Sequence, residues 1–80
     1  MHELSLAQGI LDVALSYANR HRAKNITHIG LLLGEDDLVE MESLEFCFGA
    51  VSKNTIAQGA KLLTRTVPGR ELKIEYLEVD

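Results

Sequence analysis

An apolar run with strand alternation, Ile26 to Leu33, lies between two segments whose apolar residues recur at helical spacing, and that order leaves few folds open. Along the run, Thr27, Ile29, Leu31 and Leu33 share one face and Ile26, His28, Gly30 and Leu32 the other. Gly34 ends it, and Glu35-Asp36-Asp37 follows as an acidic loop. Before the run, Ala7, Ile10, Leu11, Ala14, Tyr17, Ala18 and His21 mark a helix ending near Ala23. Ser5-Leu6-Ala7-Gln8 fits a capping box, which predicts the helix start at Ser5 and leaves residues 1 to 4 as a short edge strand. After the run, Leu44, Cys47, Phe48 and Val51 form an apolar stripe, predicting a second helix over about Glu40 to Lys53. Glu40 and Glu42 lie in its first turn, where negative charge suits the helix dipole. Met41, Phe46 and Phe48 read as core or near-core.

Two more strands are predicted, Ala60 to Val67 and Glu71 to Val79, joined through Pro68-Gly69. Pro-Gly suits the middle of a type II turn, which is not the usual hairpin turn, so the join is expected to be irregular. The alternation of Leu72, Ile74 and Tyr76 slips at Leu77 and Val79, which points to a bulge or to a sheet covered on both sides. The predicted fold class is α/β (α+β): two helices on a small, about three-stranded mixed sheet in the order (β)αβαββ.

With 80 residues the chain allows one domain, residues 1–80, with a modest core. A core so small and a sheet with open edges make a homodimer plausible. The formal charge of −4 argues against a nucleic-acid partner, which usually calls for a basic excess. Arg20, His21, Arg22 and Lys24 cluster where the first helix ends, and the dipole accounts for them. Cys47 is the sequence's one cysteine, which suits a reducing cytoplasm and, on the stripe of the second helix, a small core residue. No stretch is long enough to span a membrane, and the start shows no signal-peptide pattern. No nucleophile, acid and base fall into a catalytic arrangement, so the chain is not expected to be an enzyme.

The first residues carry the chemistry. In Met1-His2-Glu3 the terminal amine and the His2 amide nitrogen close a five-membered chelate ring on a metal. The same amide and the His2 imidazole Nδ1 close a six-membered ring. Three nearly coplanar nitrogens suit Ni(II) or Cu(II), and Glu3 can add its amide or carboxylate. By itself such a start is equally an accidental histidine at a frayed end.

The wider sequence resembles the HypA/HybF family of nickel metallochaperones. The resemblance begins with Met1-His2-Glu3-Leu4-Ser5-Leu6-Ala7-Gln8 and continues through Ala23-Lys24-Asn25-Ile26-Thr27 and Leu33-Gly34. It resumes at Glu42-Ser43-Leu44-Glu45-Phe46-Cys47-Phe48 and Thr55-Ile56-Ala57-Gln58-Gly59-Ala60, and closes with Leu72-Lys73-Ile74-Glu75-Tyr76-Leu77-Glu78-Val79. It implies nickel binding through Met1, His2 and Glu3, with Glu40 as an additional ligand in some members. It further implies delivery of Ni(II) to [NiFe] hydrogenase, in some organisms urease, alongside a maturation GTPase and the hydrogenase large subunit. Family members normally carry a zinc domain with two C-x-x-C pairs before the last strand. Here Thr66-Val67 runs through Pro68-Gly69-Arg70 into Glu71-Leu72, so a zinc domain near 67–71, and zinc itself, are expected to be absent. The rival reading is a metal-free scaffold that docks on a hydrogenase subunit, or a self-associating core.

Overall fold

The computed structural model describes residues 2–80. The elements run α1 (Glu3–Arg20), β1 (Ile26–Gly34), a single 3-10 turn (Glu35–Asp37), α2 (Met41–Val51), β2 (Lys61–Val67) and β3 (Leu72–Val79). Both helices and the mixed three-stranded sheet agree with the sequence reading. The leading strand does not. Residues 3 and 4 belong to α1, so the helix starts two residues before Ser5. His2 is the N-cap without a side-chain cap bond, and Leu6 N–H donates to the His2 carbonyl at 3.0 Å. Ser5 and Gln8 form no capping box; the Gln8 amide instead donates to Asp12 one turn on. Glu3 in the first turn is favourable for the dipole, and nothing in Leu4 stops the helix from extending back to it.

The other end of α1 closes earlier than Ala23, at Arg20. Arg22 takes φ 55, Arg22 N–H donates to Asn19 O and Ala23 N–H to Ala18 O. This is a Schellman closure with arginine in the left-handed position that glycine usually fills. The Arg20 guanidinium stacks over Tyr17, 5.2 Å from the ring centre.

β1 is the central strand, in the order β2-β1-β3. It pairs in parallel with β2 and antiparallel with β3. The parallel pair is made possible by α2, which carries the chain back across the sheet. Ile29 and Leu31 face the helices with no more than 1% exposure and meet Ala7, Ile10, Ala14, Leu44 and Phe48 in one core. A register shift between Ile26 and His28 places Thr27 in a bulge and brings Ile26 into that core as well. The second shift explains the broken alternation of the last strand. Gly30 pairs with Tyr76 and Leu31 with Ile74, so Glu75 is the extra residue and Ile74 and Leu77, three apart, both pack on the core.

The Pro68-Gly69 segment is no hairpin turn, because β2 and β3 flank β1. It crosses the end of β1. Gly34 N–H donates to Glu71 O at 2.7 Å, Asp36 N–H to Gly69 O at 2.9 Å, and Glu71 N–H to the Asp37 carboxylate at 3.0 Å. The acidic loop is therefore more than a solvated surface: its Asp37 fixes where β3 starts. A side chain on Gly34 would run into the backbone of Gly69 to Glu71, so the crossing needs glycine there.

The apolar stripe of α2 holds, with Leu44 and Phe48 buried and Cys47 and Val51 partly buried against the core. Phe46 departs from the reading. It is 80% exposed, on the outer face of α2, because it falls outside the 44/47/48/51 spacing.

Candidate metal centre

Of the residues singled out for nickel, Met1 lies outside the described residues. His2 is exposed at the start of α1. As N-cap and first helical residue, His2 and Glu3 carry two of the amides that an α-helix cannot satisfy internally. Both backbone nitrogens of the proposed chelate thus stand ahead of the helical ladder.

The fold brings Glu3 and Glu40 together, although 37 positions separate them. The Glu40 backbone N–H donates to Glu3 Oε2 at 3.1 Å. The Glu40 carboxylate turns to cap its own helix, accepting from Glu42 N–H at 3.3 Å. The starts of α1 and α2 therefore lie side by side, each with a glutamate in its first turn or cap. The amide of Glu40 holds the Glu3 carboxyl below the usual glutamate range, so it is an anion at neutral pH.

Among the described residues no group of three or more His, Cys, Asp or Glu side chains converges on a point. His21 caps the far end of α1. His28 Nδ1 lies 3.1 Å from Glu78 Oε1 and 3.0 Å from Thr27 Oγ1, on the sheet. Cys47 is a free, partly buried thiol on the inner side of α2. The donor set available at the start of α1 is hence nitrogen-rich and built on the backbone, with one imidazole and one carboxylate. Such a set favours a planar d8 or d9 ion over tetrahedral zinc. Sequence reasoning missed the Glu3–Glu40 bond, since no local signal links residues so far apart.

Over residues 1–72 the chain matches the family described as "Hydrogenase/urease nickel incorporation, metallochaperone, hypA". The chain belongs to the HypA family. Proteins named hydrogenase maturation factor HypA resemble it in bacteria and archaea alike. That of Albidiferax ferrireducens is 41% identical over 69 residues, covering 86% of this chain and 61% of the relative. The Archaeoglobus fulgidus protein is 45% identical over 62 residues, 78% of this chain and 56% of its own. The Chlorobaculum tepidum protein is 40% identical over 70 residues, 88% and 62% respectively. The chain thus spans about three-fifths of the length of the HypA relatives it matches. No helix among the described residues is long and apolar enough to cross a membrane.

Proposed function

We propose that this chain is a nickel-binding domain that carries Ni(II) through Met1, His2 and Glu3 and releases it to a nickel enzyme under assembly. The observation that supports this most directly is the Glu40 N–H bond to Glu3 Oε2, which holds a carboxylate at the start of α1, next in the chain to the exposed His2. Glu40 assists chiefly through its backbone N–H, which orders Glu3; its carboxylate, turned to Glu42, serves as a reserve ligand. The role is delivery rather than catalysis. Nickel is cargo, and a thiolate zinc site has no support in the one thiol, Cys47, which packs inward.

In this proposal the acceptor is the hydrogenase large subunit, with urease as the alternative, and a GTPase is the co-worker in the cytoplasm; membership of a hydrogenase/urease nickel-incorporation family supports the choice of acceptor. A site at an exposed helix start is open on one side. An acceptor can then replace its ligands one at a time, which suits a carrier better than a closed cage does.

The test is a nickel titration of the protein with its native start. One Ni(II) per chain is expected, with a diamagnetic square-planar absorption band. His2→Ala, or one extra residue ahead of Met1, should abolish the band. Equally tight 1:1 binding by the extended protein would sink the proposal.

A further inference from the structure

β3 lies at the edge of the sheet, so the backbone groups on its outer side have no strand partner among the described residues. α1 packs closely on α2 and only sparsely on β3, which leaves a groove of about 480 Å³ between the helix and the edge strand. Gly9, Val13 and Tyr17 line it from α1, and Leu72, Lys73 and Ile74 from β3. Val13, Tyr17 and Leu72 are half-exposed, so apolar wall stands uncovered. Nothing approaches the place where a Gly9 side chain would sit. Glycine weakens a helix; what it provides here is width. The extra residue Glu75 distorts β3 just beyond Ile74, so the regular part of the free edge is short and coincides with the lining residues. Ile74 packs on the core, so Leu72 shares its face and Lys73 points to the open face of the sheet. Glu75 is bonded to Arg65, and among the described residues Lys73 has no salt bridge of its own.

We propose that this groove receives a short extended segment of another protein that reads apolar–acidic–apolar and adds to β3 as a fourth strand. The backbone of the segment takes up the free edge beside Leu72 to Ile74. Its acidic residue lies opposite Lys73 on the open face, the cross-strand position where opposite charges attract. The residues before and after it then point to the other face, beneath α1, where Val13, Tyr17 and the space over Gly9 receive them. The strand edge and its charge select this occupant. An amphiphilic anion would fill the groove but leave the edge unpaired. A long strand would meet the distortion at Glu75. A second copy pairing through the same stretch of β3 would set Lys73 against Lys73. The corresponding groove between α2 and β2 is lined by both Glu45 and Lys61, so it offers no such preference of charge. The site excludes Met1, His2 and Glu3 and is independent of nickel.

Titration of the isotope-labelled chain with an end-capped Thr-Val-Glu-Val-Thr peptide, followed by NMR amide shifts, tests it. Shifts should concentrate at Leu72 to Ile74 and at Gly9, Val13 and Tyr17, with a dissociation constant on the order of 0.1–1 mM, as suits so small a contact. Of two peptides methylated at alternate nitrogens, the one whose methyl groups face β3 should bind at least roughly tenfold more weakly than the other, because only it loses the edge bonds. Lys73→Glu should weaken the parent peptide roughly fivefold and favour one with lysine in place of glutamate. Gly9→Leu separates a filled groove from a damaged fold. It should raise the thermal midpoint, through helix propensity, while abolishing binding. No shifts at about 5 mM peptide, a Lys73→Glu chain that still prefers the glutamate peptide, or a Gly9→Leu chain that binds like the parent would each overturn the proposal. So would equal binding by the two methylated peptides, which would make the groove a site for any apolar ligand.

Discussion

Glu3 Oε2 accepts a hydrogen bond from the Glu40 backbone N–H at 3.1 Å, tying the first turn of α1 to the cap of α2. The bond needs a side-chain acceptor at residue 3 but not a charge. Glu3→Gln should keep it and Glu3→Ala should lose it. If ordering Glu3 is what the bond contributes to nickel, Glu3→Ala should weaken nickel roughly 10- to 100-fold, as removal of a supporting group around a metal does. Glu3→Gln should stay close to the parent. Calorimetric titration of the three proteins decides this, and a Gln variant as weak as the Ala variant would instead make the carboxylate a direct ligand.

On the far face of the sheet, Arg65 and Glu75 join β2 to β3 over the central strand, through Nη2 to Oε2 and Nε to Oε1, the latter at 3.3 Å. Arg65 holds the Glu75 carboxyl below the usual range, and Glu75 raises the Arg65 guanidinium in turn. A carboxyl lowered by folding adds stability above its unfolded value, near 4.5, and loses it as pH falls through the lowered folded value. Thermal midpoints measured from pH 7 down to about pH 3 should therefore fall less steeply in Glu75→Gln than in the parent. The effect should be small, because Arg65 is largely exposed and salt screens it. Equal slopes would mean the pair does not form in solution.

Tyr76 lies across Gly30, its ring occupying the space of an absent side chain on the open face of the sheet. An alanine at 30 must push the ring outward, and the ring is half exposed and free to move. Gly30→Ala should cost roughly 1–2 kcal/mol, at the mild end of overpacking. Combined with Tyr76→Ala the cost should be less than additive. At Gly34 the neighbours are the backbone of Gly69 to Glu71, which cannot swing aside. Gly34→Ala should cost more, about 3 kcal/mol, and additive behaviour at Gly30 with equal costs at both sites would count against this packing. Urea unfolding of the four variants provides the measurements.

The central strand was legible because Ile26 to Leu33 alternates cleanly and Gly34 closes it, and the stripe of α2 because 44, 47, 48 and 51 share a face. What failed, failed for want of local information. Ser5 and Gln8 had the residue types of a capping box, but the helix propagates back to Glu3 at little cost once Leu6, Ala7 and Ile10 are anchored in the core. Pro68-Gly69 forms a turn in either topology; only the placement of β1 between β2 and β3 makes it a crossing. Phe46 was grouped with the core on residue type, against its own spacing. The metal residues were readable as a motif and by resemblance. Their support from Glu40 was not, because it depends on two helix starts meeting in space.

Linkage joins the nickel site to the fold and gives the most searching test. The nitrogens of Met1, His2 and Glu3 are neighbours in sequence, so the unfolded chain also offers them, and nickel held by them alone would stabilise folding very little. The fold adds only what Glu3 gains from Glu40. If that gain is the 10- to 100-fold expected of Glu3→Ala, saturating nickel must favour the folded state by the same factor, which in a chain this size means a rise in midpoint of roughly 8–16 °C. Glu3→Ala should remove most of the rise while still binding nickel weakly. Because metal binding displaces protons from the amides, the affinity itself should climb with pH. Chelator should return the midpoint to the apo value without unfolding the protein, since Leu6, Ile10 and Leu44 form the core without the terminus. Differential scanning calorimetry with and without nickel, at two pH values, measures all of this. A midpoint unmoved by nickel at saturation would confine the site to the terminal chelate and remove Glu40 from it.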